Sequence, residues 1–70
     1  MMPLIMAETG VTQSIKKING KDDTKRFLEN LGFVVGSEVT IISQIEGNVI
    51  VKIKEARVAI SKSMASRIMV

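Results

Sequence analysis

The chain contains no cysteine and no histidine. The first absence excludes disulfide staples and thiolate metal sites. The second removes the commonest general base, pH switch and transition-metal ligand. Together they exclude Ser-His-Asp triads, zinc fingers and most zinc enzymes. Tryptophan and tyrosine are also absent, so Phe27 and Phe33 are the only aromatic residues. Grooves that read proline-rich peptides are lined with aromatics, and single-stranded nucleic acid stacks on them. Neither activity suits this composition. No apolar run approaches the ~18 residues of a membrane span. The opening "MMPLIMAETG" has no basic flank, and its apolar run is shorter than the ~7 residues of a signal-peptide core. A cytoplasmic protein is therefore expected. Ten Lys and Arg residues against seven acidic ones give a net charge of +3. They are scattered along the chain, as on a solvated surface, rather than gathered into a nucleic-acid footprint.

What is present is mainly aliphatic. The 70 residues, 46% of them hydrophobic, allow a single domain spanning positions 1–70. A chain this short buries only roughly 60% of its unfolded surface, so its core must be dense. Ile, Val and Leu predominate, and β-branched side chains favour strands.

"VTQSIKKI" (11–18) reads as a long first strand, although Ile15 and Ile18 would fall on opposite faces and require a bend or bulge. "DDTKRFLENL" (22–31) reads as the one helix, with Asp22 or Asp23 as its cap and Phe27, Leu28 and Leu31 as its apolar stripe. "EVTIISQI" (38–45) is a strand with Val39 and Ile41 on one face, and "EGN" is a turn centred on Gly47. "VIVKIK" (49–54) alternates, with Val49, Val51 and Ile53 inward. Glu55 and Ala56 would form the next tip. They are poor turn residues, so a longer or distorted turn is expected. "RVAIS" (57–61) places Val58 and Ile60 inward, residues 62–66 form one helical turn capped by a serine, and "RIMV" closes the chain. The expected fold is all-β: a small barrel of about five strands with one inserted helix.

Gly32 and Gly36, spaced four apart in "FLENLGFVVGSEVTI", raise the question of a phosphate loop. Such a loop places its glycines before a helix, where free N–H groups and the positive dipole end meet the anion. Here they follow the helix and meet carbonyl oxygens instead. Gly32 is therefore read as closing the helix and Gly36 as turning the chain into the next strand.

Catalysis is not expected. Asp22 and Asp23 are accounted for by capping, Glu38, Glu46 and Glu55 by turns and strand ends, and a barrel this small has little room for a cleft. Met1, Met2, Met6, Met64 and Met69 suit core filling better than soft-metal binding. Lys16, Lys17, Lys52, Lys54 and Arg57 could contact duplex phosphates, or line the solvent faces of half-buried strands. Protein contact is the class left by elimination. Its candidate surface is the exposed side of the helix and its approach: Lys21, Lys25, Arg26, Glu29 and Asn30.

The "MPL" opening, "KRFLENLGFVVGSEV" (25–39), "GNVIVKIKEARVAI" (47–60) and the "ASRIMV" ending form a linked series. In this order and spacing they resemble FeoA, the small cytoplasmic component of the bacterial Feo ferrous iron transport system. Met64 and the Glu55–Ala56 pair depart from the pattern at positions without a known chemical role. The resemblance implies a Src-homology-3-like barrel without enzymatic activity. It implies contact with FeoB, the membrane permease with a cytoplasmic GTPase domain, and recruitment to the inner membrane through it. The same barrel closes DtxR-type metal-dependent repressors, so the alternative is a free-standing regulatory domain that binds a transition metal or a transcription partner. The family resemblance admits a weak transition-metal association. No ligand set for one can be assembled from these residues, and no bound cofactor is expected.

Overall fold

The computed structural model describes all residues, Met1–Val70. Its centre is a three-strand meander: β3 (Glu38–Ile45), β4 (Asn48–Ile53) and β5 (Ala56–Ser61). The alternation of these segments decides their faces. Val39, Ile41, Val49, Val51, Ile53 and Ile60 are buried, and Val58 packs beside them. Thr40, Lys52 and Arg57 form a cross-strand row on the opposite face. β3 carries a register shift between Ile41 and Ser43. Such an extra residue bends a strand and resets its alternation, and beyond it Ile45 is exposed.

The expected strand over 11–18 divides into two, β1 (Thr12–Ser14) and β2 (Lys17–Ile18), which belong to different sheets. β1 pairs with β3, giving the order β1-β3-β4-β5, while β2 pairs with β6 (Ile68–Met69). The physical reason lies in Ile15 and Ile18. Three residues apart, they cannot face one core from a straight strand, yet both are buried. The backbone changes sheets between them. Ile15 donates its N–H to the Ser37 carbonyl at 2.9 Å, and Lys16 donates to that of Met69 at 2.7 Å. The strands thus number six in two sheets, against about five expected. The amino-terminal segment joins β6 through paired Met2–Val70 backbone bonds of 2.9 and 2.8 Å.

Helix α1 spans Asp22–Asn30. Neither aspartate caps it. Lys21 holds the N-cap position without a side-chain hydrogen bond, and both carboxylates lie in the first turn. There they favour the positive dipole end by charge alone. The apolar stripe also differs from expectation. Leu28 is fully buried and Leu31 packs on the core, but Phe27 is 49% exposed. Consecutive helical residues point ~100° apart, so a helix this short that buries Leu28 leaves Phe27 on its flank. Phe33, just past the helix, fills the core instead.

Gly32 closes α1 as expected, at φ 103°. Its N–H reaches the Glu29 carbonyl, and Phe33 N–H reaches that of Leu28, both at 2.9 Å. This is the Schellman arrangement, and the residues at its two ends, Leu28 and Phe33, are both buried in the one core cluster. A β-carbon at Gly32 would lie 3.6 Å from Ile53 Cγ1, an ordinary contact. The cost of Gly32→Ala is therefore backbone strain alone, about 1–2 kcal/mol, measurable by urea denaturation. Gly36 (φ 93°) occupies the third position of a turn in which Ser37 N–H bonds the Val34 carbonyl. That is where a type II turn needs glycine.

Gly47 lies in the β3–β4 turn, but Glu46 rather than Gly47 takes the left-handed conformation there, at φ 50°. The β4–β5 tip is Lys54–Glu55, one residue earlier than expected and only two residues long. Lys54 supplies the needed geometry at φ 55°, so no longer loop is required. Helix α2 (Lys62–Ala65) is capped by Ser61, whose hydroxyl accepts the Met64 N–H at 3.1 Å. Ser61→Ala should cost about 0.5–2 kcal/mol by the usual value of such caps, again read from urea midpoints.

All fifteen buried residues are hydrophobic and form one cluster, fed by both sheets and both helices.

Candidate functional site

Two surface concavities stand out. The first, of about 510 Å³, lies over β1, β3 and β4. Thr12, Thr40, Lys52 and Lys54 line it with Ser37 and Glu38, and it has no hydrophobic lining residue. The Thr12 and Thr40 hydroxyls bond each other at 2.9 Å across its floor.

The second, of about 450 Å³, is built from three separate segments. Lys16, Lys17 and Ile18 come from β2 and its approach, Lys25 and Glu29 from α1, and Val34 and Val35 from the turn after the helix. Lys25 and Glu29 are four apart and so share one side of α1. Three lysines against one glutamate leave this groove with a net charge of +2. Val35 is 66% exposed, and Val34 is partly exposed beside it. The two valines cannot fold inward. Phe33 is anchored in the core on one side, and on the other Gly36 N–H is bonded to the Ile15 carbonyl at 2.9 Å.

Of the expected contact residues, Lys25 and Glu29 line the groove, while Lys21, Arg26 and Asn30 are exposed but line neither concavity. Lys16, Lys17, Ile18, Val34 and Val35 were not assigned to that surface. One signal for the valines was available: "FVV" places three apolar residues in succession between the helix-closing Gly32 and Gly36, and a turn that short exposes part of its apolar run when one residue, Phe33, is held in the core. The lysines considered for duplex contact are divided, with Lys16 and Lys17 in one concavity and Lys52 and Lys54 in the other. Gly32 and Gly36 lie beyond the helix carboxyl end, where carbonyl oxygens rather than free N–H groups face outward and disfavour a phosphate.

No His, Cys, Asp or Glu side chains converge in a group of three or more suited to a metal ion. Met2 and Met64 pack against the core, whereas Met1 and Met6 are exposed. No helix is long and apolar enough to cross a membrane.

A family model described as the FeoA domain matches residues 2–70. The chain belongs to the FeoA family. Among FeoA relatives, a Methanocaldococcus jannaschii protein named as an Fe(2+) transport protein A is 33% identical over 70 residues, covering 100% of this chain and 85% of that protein. A crystal structure of an iron uptake regulatory protein, FeoA, superposes with a TM-score of 0.88 at 24% identity, covering 96% of this chain and 89% of the other. Stenotrophomonas maltophilia FeoA, crystallised with zinc and described as an SH3 domain protein, gives 0.83 at 25% identity, covering 99% and 88%. The expected SH3-like fold is thus the one this FeoA chain adopts. The fold is also shared by a manganese-dependent transcriptional repressor, at a TM-score of 0.85 and 22% identity, over 94% of this chain and 38% of that one.

Proposed function

We propose that this FeoA-family chain is a non-enzymatic accessory of ferrous iron uptake that acts in the cytoplasm by contact with the FeoB GTPase-permease. The family match over residues 2–70 carries this reading. The relative named for Fe(2+) transport supports it. The chemistry of the chain agrees. Acid–base or nucleophilic catalysis needs reactive groups held in a partly dry site. Here no polar or charged residue is buried. What the surface does offer is a groove combining positive charge with fixed apolar side chains. The repressor-type alternative shares the fold only, and no observation on this chain favours it.

The test is titration of the isotope-labelled chain with the cytoplasmic region of FeoB, alongside GTP turnover and cellular iron uptake. Specific amide shifts with a change in turnover or uptake are expected. No shift together with no change in either activity would reject the proposal.

A further inference from the structure

We infer that the groove between β2, α1 and the Val34–Val35 turn receives an acidic, extended polypeptide segment bearing an aliphatic side chain. The inference rests on the partner-contact reading above and names the surface and the chemistry of that contact. Charge complementarity selects the occupant. Lys16, Lys17 and Lys25 surround the groove, and Glu29 is the only acidic lining residue. An acidic segment can meet several of these ammonium groups at once, and such charges raise association rates and fix register.

The valines narrow the choice further. A nucleic-acid backbone would use the lysines but leave Val35 in water, and the groove has no aromatic stacking platform. A peptide side chain such as Leu or Ile covers Val34 and Val35, and Ile18 is the third hydrophobic residue of the lining. The turn is already held by the Gly36–Ile15 and Ser37–Val34 backbone bonds, at 2.9 and 3.0 Å. Binding therefore needs little ordering of the protein side, which raises affinity for a given contact area. The rival concavity has lysines but no apolar lining, so it offers no such anchor.

The experiment follows backbone amide shifts of the labelled full chain with three probes. These are the FeoB cytoplasmic region, a synthetic acetylated peptide Glu-Asp-Leu-Glu-Glu-Asp, and phosphatidylglycerol vesicles. An analogue peptide with Gln and Asn in place of the acids is the charge control. The acidic peptide and the FeoB region should both shift Lys16, Lys17, Ile18, Lys25, Val34 and Val35, and the neutral analogue should not. Combined Lys16→Glu, Lys17→Glu and Lys25→Glu should weaken the FeoB complex about 100-fold. Val35→Asp, at an exposed position that the core does not use, should weaken it about 10-fold with an unchanged melting temperature.

Binding of the FeoB region with shifts confined to the Thr12–Lys52 concavity, or affinity unchanged by either set of substitutions, would overturn the groove and leave the partner reading intact. Peptide binding at the groove without FeoB binding would uphold the groove and reject the partner. Vesicle binding without peptide binding, or a self-association in sedimentation that Val35→Asp abolishes without peptide binding, would overturn the acidic-peptide inference.

Discussion

Phe33→Ala is expected to bring the protein close to its unfolding midpoint at room temperature. Phe33 is fully buried and is the bulkiest of the core side chains. Truncating such a residue costs about 3–5 kcal/mol, because the surrounding structure closes the cavity only in part. A domain at ~0.05–0.15 kcal/mol per residue holds only roughly 3.5–10 kcal/mol in all. A second loss comes from the helix end. Phe33 ends the Schellman closure with its N–H bonded to the Leu28 carbonyl, and both side chains belong to the same buried cluster. Without the ring, the carboxyl end of α1 and the Val34–Val35 turn lose their anchor together. The chain has no Trp or Tyr, so far-ultraviolet circular dichroism against urea is the suitable readout. Phe27→Ala is the control. At 49% exposure it should cost less than about 1 kcal/mol. Equal losses at the two positions would contradict the assignment of Phe33 to the core.

Ile15→Ala is expected to cost about 2–5 kcal/mol and to loosen the two sheets relative to each other. Ile15 is 1% exposed and sits where the chain leaves the four-stranded sheet for the two-stranded one. Its N–H and C=O both bind the loop after α1, at Ser37 and Gly36. The side chain thus stabilises a junction at which three segments meet. Hydrogen exchange distinguishes this from a uniform loss of stability. Amides of β2 and of Gly36 and Ser37 should lose more protection than those of β4, which pairs on both sides. Equal loss of protection throughout would show that Ile15 acts only as core volume.

Parts of this structure were legible because they depend on near neighbours in the chain. The period-two pattern of residues 49–54 assigned Val49, Val51 and Ile53 to the core, as observed. Gly32 followed from the need for a left-handed residue at a helix end, and a serine cap for the short second helix from the serines around it, the structure showing that Ser61 is the one that accepts the Met64 N–H. Other features depend on what the rest of the chain presents. The stripe Phe27–Leu28–Leu31 satisfies helical spacing, but how a nine-residue helix lies on the core decides which of these side chains is buried. Glu46 and Lys54 enter left-handed backbone conformations that their side chains do not favour, because the strand pairings on either side of the two turns impose them. The same holds for the sheet change at Ile15, visible beforehand only as a conflict with Ile18.

Residue order alone therefore determined the class of the protein: an aliphatic, mostly β domain without histidine or cysteine, carrying the linked segments of the FeoA family. Burial and turn chemistry act over a few positions, and such short-range terms survive in a one-dimensional pattern. The groove was decided only by tertiary structure. Its lining comes from residues 16–18, 25 and 29, and 34 and 35. They meet because Ile15, Leu28 and Phe33 must share a single apolar core. That requirement is long-range and cooperative, so no local spacing records it, and it leaves the lysines and valines together on the surface.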